Sequence, residues 1–157
     1  MDKLYIICVD DQREVLSAVM KDLQPLEQYF LLEECESAEE CEALLDELDS
    51  AGAQVALVIS DHIMPGRSGV ELLAQLAADR RFSETKKVLL TGQATHRDTI
   101  EAVNAARIDH YFEKPWDPDE LLQISRRLVT EFVLAQRLDY EPYAGVLDQA
   151  TLYRELH

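Results

Sequence analysis

The chain has 157 residues, 47% of them apolar, and a formal net charge of −16 at pH 7. This length and apolar content are typical of one globular domain with a full hydrophobic core and a tail. The negative charge argues against direct binding of nucleic acid and against attachment to an acidic membrane surface. Because no apolar stretch approaches membrane-spanning length and no signal peptide is predicted, we expect a cytoplasmic protein.

The three cysteines, Cys8, Cys35 and Cys41, do not have the spacing of a zinc site. Their number is odd, so they cannot all pair within one chain. We therefore expect reduced thiols, with Cys8 in the core, as is usual for proteins of a reducing compartment.

Short apolar runs alternate with helical patterns along the chain. The runs are apolar or rich in β-branched residues and predict five strands, at residues 4–9, 30–32, 55–59, 87–91 and 108–112. Apolar residues at helical spacing predict helices before Pro25, after Ser37, after Ser68, over about 97–106, from Pro118 to about Leu138, and a short one within 146–156. A glutamate three residues after each of the two serines predicts capping boxes there.

Strands that alternate with helices are typical of an α/β fold with a mostly parallel sheet. Right-handed crossovers place the carboxyl ends of all strands at the same edge. The polar side chains that follow strands one, three, four and five therefore converge on that edge: Asp10, Asp11, Asp61, Thr91 and Lys114. Open α/β sheets bind their ligands there.

Three carboxylates at one edge repel one another, so either one is protonated or a cation lies among them. Oxygen ligands that leave room for water suit Mg²⁺. Lys114 adds a positive charge and Thr91 a hydroxyl, and such groups stabilise a phosphoryl group during its transfer. An aspartate in this setting, such as Asp61, is a candidate nucleophile that forms an aspartyl-phosphate.

These motifs resemble those of the receiver domains of two-component response regulators. The matching segments are Val9-Asp10-Asp11, Asp61-His62-Ile63-Met64-Pro65-Gly66, Leu90-Thr91-Gly92 and Lys114-Pro115-Trp116. The resemblance covers about residues 4–130, and the set of motifs in this order is more specific than any one of them. It implies a flavodoxin-like, doubly wound sheet of five parallel strands in the order 2-1-3-4-5, with helices on both faces.

The resemblance also implies a role for each acidic residue. Asp61 matches the residue that accepts the phosphoryl group. Asp10 and Asp11 match ligands of Mg²⁺, the implied cofactor, together with Asp61 and the backbone carbonyl of Ile63.

Three further positions match residues that respond to phosphorylation. Lys114 matches the lysine that pairs with the phosphoryl group, and Thr91 matches the hydroxyl that moves to a phosphoryl oxygen. Tyr111, three residues before the lysine, matches the aromatic switch that turns inward with Thr91. An aromatic residue in a strand also often serves packing alone, so that interpretation of Tyr111 stays open.

The function implied is that of a phospho-accepting signalling module, not a turnover enzyme. A sensor histidine kinase or phosphotransfer protein donates the phosphoryl group to Asp61, and a downstream output domain or protein responds. Self-phosphorylation and slow self-dephosphorylation are the only catalysis expected. The alternative is an Mg²⁺-dependent phosphohydrolase with an aspartate nucleophile. It fits less well, because that class has Asp-x-Asp after its first strand, where this chain has adjacent Asp10 and Asp11.

We divide the chain into a receiver domain at 1–130 and, at 131–157, an extension of the last helix with a C-terminal tail. In the extension, Val133 and Leu134 are predicted to be exposed, where they would pair with a second copy or a following domain. A homodimer would use the face of the fourth and last helices. Residues 147–156 either pack back on the receiver or form a partner surface, and the sequence leaves open whether the receiver stands alone or begins a longer regulator.

Overall fold

The computed structural model describes residues 3–92 and 97–156. The strands are β1 (Leu4–Val9), β2 (Leu31–Cys35), β3 (Gln54–Asp61), β4 (Lys86–Thr91) and β5 (His110–Glu113). The α-helices are α1 (Arg13–Asp22), α2 (Ala38–Ser50), α3 (Gly69–Ala78), α4 (Arg97–Ala105), α5 (Pro118–Ala135) and α6 (Gln149–Leu156). Short 3-10 turns lie at Gln24–Leu26, Arg80–Phe82 and Glu141–Tyr143. Within the described residues, no helix has both the length and the apolar character needed to cross a membrane.

The strands form one parallel sheet in the order β2-β1-β3-β4-β5, which confirms the predicted fold class and strand order. One hydrophobic cluster lies between the sheet and helices α1 and α5, and a second lies between the sheet and helices α2, α3 and α4. Alternate residues of a strand point to opposite faces. Ile6 and Cys8 accordingly belong to the first cluster, whereas Ile7 and Val9 belong to the second.

The bounds of four strands differ from those predicted, and two of these strands extend at least two residues past their predicted ends. The edge strand β2 continues to Cys35 through Glu33 and Glu34, whose exposed side chains interrupt the apolar run. The central strand β3 continues past the predicted end, because Ser60 and Asp61 still pair with β4. Polar residues therefore make a strand look shorter in the sequence than it is, both at an exposed edge and at a buried strand end.

The two predicted capping boxes have different outcomes. Ser68 and Glu71 form both halves of the box at the start of α3. Ser37 accepts a hydrogen bond from the N–H of Glu40 at the start of α2, but the Glu40 carboxylate accepts from the N–H of Glu36 instead. The second box is therefore only half formed.

All three cysteines are buried and free, as expected. Burial raises the pKa of the Cys8 thiol well above its ordinary value. Buried thiols of this kind are packing groups and poor nucleophiles.

The C-terminal segment, residues 137–156, folds back onto the α/β domain. Helix α5 ends at Ala135, earlier than predicted, and Arg137 takes a positive φ of 56° that turns the chain. Tyr143 then stacks on Phe30, with ring centroids 5.6 Å apart. Phe30 immediately precedes β2, so this contact lies at the amino edge of the sheet.

This packing corrects the prediction that Val133 is exposed. Val133 is completely buried in the cluster that α1 and α5 share with the C-terminal segment, and Leu134 is partly buried against it. Four side chains of the segment are buried in the same cluster: Tyr143, Val146, Leu147 and Leu152. The prediction failed because it treated the end of α5 as a solvated helix. Of the two alternatives left open for residues 147–156, the structure shows packing back on the domain.

Two buried threonines at this contact, Thr130 and Thr151, form hydrogen bonds. The Thr130 hydroxyl donates to the carbonyl of Arg126 at 2.7 Å and accepts from the N–H of Asp148 at 2.8 Å. The Asp148 carboxylate in turn accepts from the N–H of Thr151, at 3.1 Å, and from its hydroxyl. These bonds tie the start of α6 to α5.

Candidate functional site

Strand β3 delivers Asp61 to the carboxyl edge of the sheet. The seven residues from Val55 to Asp61 are all buried, and only 6% of the Asp61 surface is exposed. The N–H of His62 donates to the carbonyl of Leu90 at 2.9 Å, so the main chain stays in register with β4 beyond the last strand residue. A carboxylate at this depth requires polar or cationic neighbours.

Strand β1 places Asp10 beside it. The N–H of Asp10 donates to the carbonyl of Cys35 at 3.0 Å, and Asp10 is only 1% exposed. Its Oδ1 accepts from the N–H of Gln12 at 2.8 Å. Its Oδ2 is buried and has no hydrogen-bond partner among the described residues.

The charge balance around Asp10 is unfavourable to its ionised form. Burial raises the pKa of Asp10, and the negative charges of Asp61 and Asp11 raise it further. The N–H of Gln12 and the ammonium of Lys114 oppose this rise. The net upward direction means that burial and the neighbouring carboxylates outweigh the Gln12 N–H and the Lys114 ammonium.

The structure brings the three carboxylates among the four predicted metal ligands together. One carboxylate oxygen from each of Asp10, Asp11 and Asp61 lies within 4.8 Å of the others. Asp11 is exposed, so the cluster opens to solvent on its side. Three converging carboxylate oxygens fit a hard divalent cation such as Mg²⁺ that retains water ligands.

Lys114 closes the cluster from β5. Its Nζ donates to Oδ1 of Asp61 at 2.5 Å and lies 3.6 Å from Oδ2 of Asp10. Its own N–H donates to the carbonyl of Thr91 at 2.9 Å, and the peptide bond to Pro115 is cis. Asp10, Asp11, Asp61 and Lys114 together are called the rim site below.

The other predicted residues lie around the rim site at different depths. Thr91 is the last residue of β4 and is buried. Ile63 follows β3 in the loop to α3, and its side chain is 67% exposed. Tyr111 lies on the edge strand β5 with 39% of its surface exposed, and its ring stacks beside that of His110. The structure thus places Thr91 at the same edge as the rim site and the Tyr111 ring toward solvent.

Trp116, the last residue of the Lys114-Pro115-Trp116 segment, is partly buried. Its ring lies against the cluster of α1 and α5. Its Nε1 donates to Oδ2 of Asp22 at 2.7 Å, which connects the segment after β5 with the end of α1. The Asp22 contact had no local signal in the sequence, because 94 residues separate the partners.

Two neighbours of Asp61 were missed altogether. The Ser60 hydroxyl donates to the carbonyl of Asp61 at 3.0 Å. A Cβ atom placed on Gly69 would lie 1.9 Å from the same carbonyl oxygen. A buried serine in an apolar strand and a glycine at the first position of a helix were the signals available.

Comparisons with known proteins agree with this geometry. The family model of the response regulator receiver domain matches residues 6–126. The hydrogenase transcriptional regulatory protein HoxA of Cupriavidus necator is 32% identical over 124 residues, which are 79% of this chain and 24% of HoxA. The chemotaxis protein CheY1 of Helicobacter pylori is 28% identical over 118 residues, which are 75% of this chain and 90% of CheY1.

A solved structure is similar over most of the fold. The signal receiver domain of an HD domain-containing protein from Pseudomonas fluorescens superposes with a TM-score of 0.74 at 29% identity, covering 87% of this chain and 94% of that domain. This chain spans between 24% and 51% of the first curated relatives that it matches. None of these matches favours the phosphohydrolase alternative. Since the family model covers most of the chain, the chain belongs to the response regulator receiver domain family of two-component systems.

Proposed function

We propose that Asp61 accepts a phosphoryl group from a sensor histidine kinase or phosphotransfer protein, and that this reaction switches a partner-binding face. As a member of the receiver family, the chain is a signalling module. The observation that carries the proposal is the rim site, where Lys114 contacts a buried Asp61 beside two further carboxylates.

In the proposed reaction, a carboxylate oxygen of Asp61 forms a bond to phosphorus. The bond between phosphorus and the donor's imidazole nitrogen breaks, and the nitrogen keeps the electron pair. Lys114 Nζ already lies on Asp61 Oδ1, so it is placed to pair with a phosphoryl oxygen once that carboxylate is converted to an acyl phosphate. Burial of Asp61 strengthens this pairing because water screens it less.

Asp10, Asp11, Asp61 and the backbone carbonyl of Ile63 would hold Mg²⁺. The buried Oδ2 of Asp10, which has no hydrogen-bond partner among the described residues, and the clustering of the three carboxylates support this assignment. The ion, when bound, supplies positive charge that offsets the negative charge of the phosphoryl oxygens.

We propose further that Thr91 and Tyr111 communicate the phosphorylated state. Thr91 would hydrogen bond to the phosphoryl group, and Tyr111 would move inward from its exposed position. The face of α4, β5 and α5 would then change its affinity for an output domain, an output protein or a second copy of the chain. This is a population shift driven by a local change in charge.

The receiver would also catalyse its own phosphorylation by small donors and its slow dephosphorylation. Residues 131–157 are proposed to be an extension of the receiver beyond a boundary near 130. The end of the family match at residue 126 supports the boundary, and the burial of Tyr143 and Leu147 supports an extension that packs on the receiver.

The central test is phosphorylation by acetyl phosphate with Mg²⁺, followed by intact mass. We expect one added phosphoryl group per chain, removed by hydroxylamine, and none in Asp61→Asn. Asp22→Asn serves as the matched control, because it changes an aspartate outside the rim site. Turnover of p-nitrophenyl phosphate by the wild type but not by Asp61→Asn, without a stable adduct, would favour the phosphohydrolase instead.

A further inference from the structure

Gly69, the first residue of α3, lies directly against the main chain of Asp61. A Cβ atom at this position would stand 1.9 Å from the Asp61 carbonyl oxygen and 2.8 Å from its carbonyl carbon. It would also stand 2.9 Å from the Ser60 hydroxyl oxygen. Two of these three atoms belong to the main chain, so no rotation of a side chain relieves the overlap. Any other residue must displace either α3 or the end of β3.

Hydrogen bonds hold the same stretch of main chain from three sides. The N–H of Gly69 donates to the carbonyl of His62 at 2.8 Å and closes the loop from β3 to α3. The N–H of His62 donates to the carbonyl of Leu90 at 2.9 Å, and the hydroxyl of Ser60 donates to the carbonyl of Asp61 at 3.0 Å. The close approach of Gly69 is what permits the first of these bonds.

Other glycines of the chain differ in what they contact. Gly66 has a φ of 80°, which explains the glycine by backbone conformation. Among the residues that the structure describes, a Cβ on Gly92 would meet nothing within 4 Å. A Cβ on Gly145 would lie 2.7 Å from the Tyr29 hydroxyl oxygen, in the C-terminal segment and away from the rim site. Among these positions, Gly69 alone presses on the main chain of the proposed acceptor.

We propose that Gly69 is a positioning residue for phosphoryl transfer. Its missing side chain lets the start of α3 close the loop that carries Ile63 and fixes the main chain of Asp61. The position of the Asp61 carboxylate relative to Lys114 and Asp10 follows from that main chain. The inference rests on the proposed role of Asp61 as acceptor, and it extends the rim site to a residue without a functional group.

The test compares Gly69→Ala with Gly145→Ala, which makes the same change and also inserts a methyl group into a tight contact. For each variant, the rate of phosphorylation by acetyl phosphate is measured by intact mass, Mg²⁺ affinity by calorimetry, and thermal stability by circular dichroism. We expect Gly69→Ala to slow phosphorylation and weaken Mg²⁺ binding by about tenfold to a hundredfold. Gly145→Ala should lower the melting temperature yet keep the wild-type rate and affinity.

If Gly69→Ala does not fold, Ser60→Ala tests the same carbonyl without adding an atom. Loss of the hydroxyl that donates to Asp61 should weaken Mg²⁺ binding by about threefold to tenfold. Wild-type rate and affinity in Gly69→Ala, or wild-type affinity in Ser60→Ala, would overturn the positioning role. If the wild type itself accepts no phosphoryl group, the proposed function fails, and Mg²⁺ affinity alone then decides the role of Gly69.

Discussion

At the carboxyl edge of the sheet, the rim site gathers charged groups that the fold leaves partly unsatisfied. At the amino edge, the C-terminal segment covers apolar groups and gives its buried threonines partners. Asp10 illustrates the first region, with a buried oxygen that has no hydrogen-bond partner among the described residues. Tyr143 illustrates the second, with its ring stacked on Phe30 and almost fully buried. The carboxyl edge therefore carries clustered acidic groups close to one another, whereas packing at the amino edge contributes free energy of folding.

Removal of the Tyr143 side chain should have the largest effect on the free energy of unfolding. Tyr143→Ala should lower the free energy of unfolding by about 3–5 kcal/mol, because it leaves a cavity beside Phe30 and α5. Urea denaturation measures the change. The phosphorylation rate of the folded variant should stay at the wild-type value.

Tyr153→Ala is the matched control, since this tyrosine of α6 is 70% exposed. It should change the free energy of unfolding by less than about 0.5 kcal/mol. Equal effects of the two substitutions would contradict the packing of the C-terminal segment on the receiver.

At the rim site the expected sign reverses. Asp10→Asn should raise the free energy of unfolding in the absence of Mg²⁺ by about 1 kcal/mol, because it removes a buried charge that repels Asp61. The same substitution should abolish the stabilisation that added Mg²⁺ gives to the wild type. Thermal melts with Mg²⁺ and with a chelator measure both effects.

Asp11→Asn separates charge from burial in this experiment. Asp11 is exposed, so its loss should weaken Mg²⁺ binding without stabilising the metal-free protein to the same degree. A destabilised Asp10→Asn variant would show that the rim site contributes to folding and would remove the contrast with the amino edge.

The sequence was sufficient for the sheet and for the chemical groups of the rim site. Strand patterns and the crossover rule were enough to bring Asp10, Asp61 and Lys114 to one edge, because a parallel sheet aligns all strand ends. Strand bounds were less predictable where burial and polarity disagree, as at Glu33 on an exposed edge and Ser60 in a buried strand. The pattern of apolar residues predicts burial correctly only where the polar residues of the strand are exposed to solvent.

Long-range packing explains what was missed. The residues after α5 show no regular periodicity before α6, and their burial depends on distant partners such as Phe30. Val133 was therefore wrongly predicted to be exposed. Gly69 directly follows the cap residue Ser68, where a glycine at a helix start is ordinary. The local sequence therefore did not indicate its contact with Asp61. Such contacts arise when two elements meet, and neither element shows them alone.

A buried lysine away from the rim site makes the stability of the fold depend on pH. Burial lowers the pKa of Lys87 on β4, while Asp109 opposes the shift. A lowered folded pKa means that the protonated lysine costs stability at neutral pH, and that this cost disappears as pH rises from the folded pKa toward the ordinary value of 10.5.

Lys87→Met should accordingly match or exceed the wild type at pH 7, by up to about 1 kcal/mol. Its advantage should shrink as pH approaches about 10.5, as measured by urea denaturation at a series of pH values. Lys3→Met, at an exposed lysine, should show no such convergence. A growing advantage of Lys87→Met with pH would mean that the buried ammonium stabilises the fold.

The smallest expected effect is the coupling between the two edges. If the rim site and the C-terminal segment act independently, Tyr143→Ala should change the free energy of Mg²⁺ binding by less than about 0.5 kcal/mol, since distant sites are usually additive. Calorimetry on wild type and variant measures this difference.

The fluorescence of Trp116, the single tryptophan, gives a second readout. Trp116 follows Lys114-Pro115 and packs in the cluster that the C-terminal segment completes. A several-fold loss of Mg²⁺ affinity in Tyr143→Ala that persists at every pH tested would show that the two edges are coupled. Its route would then be testable with Asp22→Asn, which weakens the hydrogen bond that joins Trp116 to α1.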